Sequence, residues 1–309
     1  MQKGLIIKST GSRYKVLVDG KDVIQCSIKG KFRISGGIRT TNPVAAGDNV
    51  MIEVDTKTGE GIITEVLDRK NYILRKSSNL SKEFQIIASN VDRVFLMISL
   101  TMPATPMEFV DRFLVSAEAF RIPVSILINK VDLYDDDLME KANDIVRIYK
   151  KIGYDCRLIS LKEKTGYQDL YDLMKGKITL LSGNSGVGKS SFINILNPSL
   201  SVKTGEVSEY HKQGKHITTF PEMYEMPFGG YVIDSPGIRG FGLADMHKEE
   251  IYHFFPEIFK VSANCKFHNC IHIDEPGCAV LDAVESGEIE YSRYKSYFNM
   301  VMDENKKYR

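Results

Sequence analysis

Gly183-Asn184-Ser185-Gly186-Val187-Gly188-Lys189-Ser190 satisfies G-x-x-x-x-G-K-[ST] at every fixed position. An apolar β-type run, Ile178-Thr179-Leu180-Leu181, precedes it, and Ser191-Phe192-Ile193-Asn194-Ile195-Leu196 comes after it as a helix that Asn197-Pro198 stops. Strand, loop and helix in that order make a phosphate-binding loop. The glycines let the backbone wrap an oxyanion, while successive N–H groups and the positive end of the helix point at it. Lys189 adds a mobile cation and Ser190 a hydroxyl for Mg²⁺, with Ser191 beside it at the helix start. The bare pattern arises by chance in about one chain in a hundred of this length, so the flanking strand and helix carry much of the reading.

Upstream, the chain alternates between β and α. Val94-Phe95-Leu96-Met97-Ile98 is a continuous apolar run of the kind a buried parallel strand requires. Thr105 is placed as an N-cap, Pro106 at the first helical position and Glu108 in a capping box. Met107, Val110, Phe113, Leu114, Ala117 and Phe120 then form one apolar face. Val124 to Ile128 reads as a strand, Asp136 to Ile152 as a helix ended by Gly153, Cys156 to Ile159 as a strand and Gln168 to Met174 as a short helix. Repeated strand–helix units predict a parallel sheet covered on both faces, with its ligand off the C-terminal strand ends.

Further motifs fall at those ends. Asn129-Lys130-Val131-Asp132 fits N-K-x-D, whose carboxylate accepts from the N1–H and exocyclic amine that guanine has and adenine lacks. Ser160-Leu161-Lys162 stands where the companion base-binding loop belongs, placing Ser160 at the base. Asp234-Ser235-Pro236-Gly237 fits D-x-x-G, with Asp234 near Mg²⁺ and the Gly237 amide at a γ-phosphate. Between the two phosphate motifs, Gly214-Lys215-His216-Ile217-Thr218-Thr219 reads as a switch whose threonine completes the Mg²⁺ shell. In an ordinary small GTPase N-K-x-D comes after D-x-x-G, whereas here Asn129 precedes both phosphate motifs. The order is that of a circular permutation, which a site assembled from strand ends tolerates. It also leads the chain from Asp234–Gly237 directly into the C-terminal segment, which is therefore expected to respond to the γ-phosphate.

The two ends of the chain differ from this centre. Residues 1–40 carry nine Lys and Arg against Asp19 and Asp22, a net of +7 inside a chain whose total is +1. Five short β-type runs (Leu5–Ile7, Tyr14–Val18, Val23–Ile28, Asn49–Val54 and Gly61–Val66) are separated by turn residues, as in a five-stranded oligonucleotide-binding barrel. Its positive side suits a nucleic-acid backbone, with Tyr14 or Phe32 available to stack a base and Ser35–Asn42 as a loop that orders on a partner. Near the other end, Cys265, Cys270, His272 and Cys278 form C-x4-C-x-H-x5-C, three thiolates and one imidazole suited to one closed, tetrahedral, structural Zn²⁺. Lys248–Phe259 and Gly287–Met302 read as helices around it. Five cysteines, three of them in this cluster, favour metal over a disulfide framework. No apolar run of membrane-spanning length and no secretory leader is read, so a cytoplasmic protein that does not engage a membrane is expected.

The predicted fold is multidomain α/β: an OB-type barrel over 1–70, a circularly permuted P-loop GTPase over 71–244 and a helical zinc-binding module over 245–309. The basic barrel, the permuted motifs with G-x-H-x-T-type switch and D-S-P-G, and the C-terminal cluster together resemble the ribosome small subunit-dependent GTPase A family (RsgA/YjeQ type). That resemblance implies a bacterial factor of late small-subunit maturation that contacts ribosomal RNA and hydrolyses GTP to GDP when docked; a monomer is expected. The family switch usually carries Thr after the His; here Ile217 stands there, so Thr218 is assigned to Mg²⁺ with Thr219 in reserve. Ile238 occupies the place where many GTPases put a water-orienting glutamine, leaving His216 to orient or deprotonate water, or else to contact the partner. An RNA-binding scaffold or a translation factor with a slow regulatory GTP site is the alternative.

Overall fold

The computed structural model describes residues 1–28, 42–76, 84–202, 220–235 and 246–302. All five barrel strands lie where the sequence puts them: β1 (Gln2–Ser9), β2 (Tyr14–Val18), β3 (Asp22–Ile28), β4 (Asn49–Val54) and β5 (Gly61–Val66). They pair in the order β1-β2-β3-β5-β4, and β4 returns to β1, closing the sheet. Alternate residues point inward, so Ile6, Val16, Val18, Val50, Ile52 and Ile63 form the barrel core. Tyr14 shares that inward register: it is 1 % exposed, and its hydroxyl donates to the Gly11 carbonyl at 3.0 Å. It therefore has no face to offer a base, a correction to the sequence reading. Phe32 and residues 35–41 lie outside the described residues.

A hairpin that the sequence reading lacked, β6 (Tyr72–Lys76) with β7 (Phe84–Ser89), brackets the barrel against the nucleotide domain. The Asn42 side chain donates to the Ile86 carbonyl and accepts from the Ile86 amide, both at 2.9 Å. Gly47, at φ 94°, passes so close to Ser89 that a Cβ would lie 2.0 Å from its carbonyl oxygen. Arg69 grips the buried Asp48 with two bonds of 2.7 and 2.6 Å.

The nucleotide domain contains β8 (Arg93–Ile98), α1 (Met107–Ala119), β9 (Val124–Ile128), α2 (Asp136–Ile152), β10 (Asp155–Leu158), α3 (Leu170–Met174), β11 (Ile178–Gly183), α4 (Lys189–Leu196), β12 (Glu222–Glu225) and β13 (Tyr231–Asp234). The strand order is β10-β9-β8-β11-β13-β12, parallel except for β12. Period-two alternation divides the core. Val94, Leu96 and Ile98 of β8 pack with Val110, Phe113 and Leu114 of α1, while Phe95 and Met97 face α3 and α4. The start of α1 differs from expectation. Pro106 occupies the cap position with no side-chain cap, Glu108 pairs with Arg112 at 3.0 Å, and the Thr105 hydroxyl accepts from the Ser99 amide at 3.3 Å. At the far edge β12 meets β1 through the pair Lys8↔Glu222, making barrel and nucleotide sheet continuous.

The C-terminal module has a 3₁₀ segment (Lys248–Phe254), α5 (Pro256–Ser262), α6 (Ala279–Glu285) and α7 (Tyr291–Met302). The single helix expected over Lys248–Phe259 is split because Pro256 lacks an N–H and instead starts α5 at its first turn. Ile289, Tyr294, Tyr297 and Val301 are buried together. α1 supplies Val115 to that cluster, and Arg293 of α7, 1 % exposed, binds Asp111 of α1 and Glu257 of α5. The module is thus fastened to the outer face of the nucleotide domain.

Candidate nucleotide site and metal centre

β11 lies centrally in the sheet, between β8 and β13, and delivers the phosphate loop to the C-terminal strand ends. Gly183 (φ 140°) and Gly188 (φ 109°) adopt backbone that side chains resist, and both are crowded. A Cβ on Gly183 would sit 2.1 Å from the Met97 carbonyl oxygen; one on Gly188, 2.5 Å from Asn129 Nδ2. Asn184, Ser185, Ser190 and Ser191 are half-buried, Gly186 is exposed and Val187 anchors the loop in the core. The buried Lys189 ammonium folds back onto the carbonyls of Gly183 (2.8 Å) and Asn184 (2.9 Å). Burial lowers its pKa to about 8, against the opposing field of Asp234. A triphosphate placed there would offer this cation anionic oxygens in place of carbonyls.

Asn129 staples three loops: Nδ2 donates to the Val187 carbonyl at 2.8 Å, and Oδ1 accepts from the Leu161 amide at 3.2 Å. Asp132, its side chain 10 % exposed, lies with Oδ2 3.9 Å from Lys162 Nζ. Ser160 donates to Asp132 Oδ1 at 2.6 Å, so the expected companion loop does meet N-K-x-D in space. Lys130, in left-handed backbone, donates to the Met102 carbonyl; burial lowers its pKa despite Asp132. Tyr134, absent from the sequence reading, ties this corner together by donating to the Asn129 carbonyl at 3.0 Å and accepting from the Leu100 amide at 2.8 Å. No local motif marks it.

Asp234 ends β13 fully buried, and Ser235 is fixed by two bonds to the Leu181 carbonyl, from its amide (3.2 Å) and its hydroxyl (2.9 Å). His216, Thr218, Thr219 and Gly237 lie outside the described residues.

The cysteine cluster converges. The ligand atoms of Cys265, Cys270, His272 and Cys278 all lie within 4.8 Å of one another. The Cys265–Cys278 Sγ separation is 3.9 Å, and His272 Nδ1 lies 3.5 Å from each of those sulfurs. Tetrahedral Zn–S and Zn–N bonds of about 2.3 and 2.0 Å give edges of about 3.8 and 3.5 Å, so the donor set fits a metal ion. The backbone around it is held by side-chain hydrogen bonds. Glu275 accepts from the amides of Ile271 (2.7 Å) and Ile273 (2.9 Å), while Tyr294 and Tyr297 donate to the carbonyls of His272 (2.9 Å) and Ile271 (2.5 Å). Burial opposes ionisation of Glu275, but those amides hold its pKa below the usual carboxylate value. Burial raises the Cys270 thiol, a shift that a bound cation would oppose. His268 stands outside the cluster.

A parallel sheet with the phosphate loop on its central strand and N-K-x-D two strands away, reached earlier in the chain, defines a circularly permuted P-loop GTPase. The RsgA GTPase family model matches residues 66–244, and the RsgA N-terminal domain model matches residues 3–63. The chain belongs to the RsgA GTPase family and is a GTP hydrolase. It is 53 % identical over 308 residues to the small ribosomal subunit biogenesis GTPase RsgA of Bacteroides fragilis strain YCH46, covering 99 % of both chains. The Flavobacterium psychrophilum protein of the same description is 48 % identical over 99 % of this chain and 94 % of its own. Among solved structures, YjeQ from Thermotoga maritima superposes with a TM-score of 0.74 at 34 % identity, covering 97 % of each chain. YloQ, described as a circularly permuted GTPase, gives 0.70 at 31 %, covering all of this chain and 97 % of its own. Among the described residues no helix is long and apolar enough to cross a membrane.

Proposed function

We propose that this chain binds the small ribosomal subunit and its ribosomal RNA, acts in late subunit maturation and hydrolyses GTP with stimulation by the docked subunit. It works as a cytoplasmic monomer with three domains, 1–70, 71–244 and 245–309. The observation that carries this is the convergence of Asn129, Asp132, Ser160, Lys189 and Asp234 on one sheet end, in a chain that is 53 % identical over 99 % of its length to a protein named for small-subunit biogenesis. The guanine edge is read by Asp132, and Gly183 to Ser191 cradle the phosphates with Lys189 turning from its carbonyls to the β/γ oxygens. Ser190, Thr218 and Asp234 would hold Mg²⁺, which supplies charge neutralisation at those oxygens. Gly237 contacts the γ-phosphate, and His216 orients or deprotonates the attacking water. The clustered cysteines and His272 hold one structural Zn²⁺.

GTP turnover with and without purified 30S subunits tests the whole reading. Turnover should rise at least tenfold with subunits, and the change His216→Ala should remove roughly 10²-fold of that stimulated rate while leaving GTP-dependent docking intact, the scale of a lost general base. No stimulation at saturating subunits would leave an RNA-binding scaffold or a translation factor in its place.

The barrel's share is separable. Deleting residues 1–70 should weaken subunit binding far more than GTP binding, and the whole protein's affinity for the subunit should fall steeply with salt as counterions are released. Equal docking by the truncated chain would move the RNA contact elsewhere.

The metal is checked by elemental analysis, which should give one Zn²⁺ per chain. Cys270→Ala should loosen the C-terminal module and spare nucleotide affinity, since the clusters around Cys270 and the phosphate loop share no buried residue. Metal-free protein as purified contradicts the assignment.

A further inference from the structure

β1 of the barrel pairs with three strands, β2, β4 and, through the single register pair Lys8↔Glu222, β12 of the nucleotide sheet. On the other side of β12, Glu222 stands opposite Asp234 of β13. Residues directly opposite in antiparallel pairs share a face, with Cβ atoms about 4.5–5.5 Å apart. Lys8, Glu222 and Asp234 therefore form one row across three strands. Lys8 Nζ donates to Glu222 Oε2 at 2.7 Å, with the two side chains 29 % and 26 % exposed. Tyr224, two residues along β12, donates to the same oxygen at 3.3 Å. Its pKa is raised by burial and then by Glu222 and Asp234, so both carboxylates act on one phenol. Asp234 in turn acts on Lys189. From barrel to phosphate loop the charges run plus, minus, minus, plus.

As a strut the Lys8–Glu222 pair is weak, because half-exposed ion pairs contribute little to stability. Its place in the row gives it a different consequence. Like charges directly opposite on neighbouring strands repel, and Glu222 without Lys8 would set an unbalanced negative charge beside Asp234. We propose that Lys8, supplied by the barrel, is a positioning residue for the cation side of the nucleotide site, setting the field at Asp234 through Glu222. The proposal rests on the reading of Asp234 as the Mg²⁺ carboxylate. It also withdraws Lys8 from the nine cations that residues 1–40 offer to nucleic acid.

The test is a Mg²⁺ titration of fluorescent GTP-analogue binding to the full-length protein. Lys8→Met should move the Mg²⁺ midpoint down by about 3- to 10-fold, since extra negative charge favours the cation. Glu222→Gln should move it up by a similar factor, and the charge-balanced double variant should return to within about twofold of the parent. Midpoints unmoved in both single variants, or a double variant that stays where Lys8→Met puts it, overturn the proposal; the latter shows that the pair acts only as a strut. Asp234→Asn reports separately on the underlying reading. If it leaves the Mg²⁺ dependence intact, the assignment of Asp234 fails and the proposal with it. If it abolishes that dependence while the other variants do nothing, only the role of Lys8 falls.

Discussion

Replacing Arg293 by alanine should destabilise the junction between the C-terminal module and the nucleotide domain by about 3–5 kcal/mol, the cost of leaving buried charges without their partner. Arg293 donates to Asp111 and, from Nε, to Glu257 at 2.7 Å; its guanidinium lies 4.6 Å above the Phe255 ring. Tyr149 of α2 donates to the same Asp111 at 2.6 Å. Alanine would leave the buried Asp111 and the nearly buried Glu257 without their cation and open a cavity. Lysine should cost nearly as much, because a point charge cannot bridge both acids and stack on the ring. Arg293→Met with Asp111→Asn should cost less than Arg293→Ala, since no unpaired charge then remains on α1. Hydrogen exchange of the α7 amides reads the effect, and protection unchanged in Arg293→Ala would show that the cluster is incidental.

This junction bears on how the C-terminal module is expected to answer GTP. Chain order alone suggests that the module moves with the nucleotide state, because it comes directly after D-x-x-G. Among the described residues the contact is made by Asp111, Tyr149, Glu257 and Arg293, none of which belongs to the switch or to D-x-x-G. The module is expected to stay on α1 with either nucleotide, and α7 should be equally protected with GTP and GDP. Any nucleotide dependence of docking would then be expected from the switch residues themselves, a division that hydrogen exchange can test on the same samples.

How much of the molecule is legible in its sequence depends on the range of the underlying physics. The barrel strands are readable because period-two alternation and turn residues are local, and the phosphate loop because only glycine tolerates the backbone at 183 and 188. The same alternation, carried into residue 14, turns Tyr14 inward with Val16 and Val18. The hairpin β6–β7 and strand β12 escape because each is short and is fixed against the rest of the fold by residues far along the chain, Asn42 for Ile86 and Lys8 for Glu222. Lys8 and Glu222 are 214 residues apart, Arg293 and Asp111 182. No spacing rule reaches across such distances. The candidate metal ligands are legible as residue types, whereas Glu275, Tyr294 and Tyr297, which hold their loop, carry no motif.

The guanine preference provides the sharpest single test of the nucleotide site. Asp132→Asn should weaken GTP binding by about 10²- to 10³-fold while leaving the weak binding of ATP unchanged, since only guanine presents two donors to that carboxylate. The local bonds determine how the asparagine sits. Glu163 N–H donates to Ser160 Oγ at 3.0 Å, which favours turning the Ser160 hydroxyl toward residue 132, where it now donates to Asp132 Oδ1 at 2.6 Å. An asparagine oxygen would take that bond and leave its NH₂ in the place of Oδ2, donor against donor at the guanine edge. Xanthine, which carries a carbonyl where guanine has its amine, would meet that NH₂ with an acceptor. The variant should therefore bind xanthosine triphosphate more tightly than GTP, reversing the parent's order. Competition of the three triphosphates against a fluorescent guanine nucleotide measures all of this, and a variant that kept the parent's GTP-to-ATP ratio would take Asp132 out of the base site.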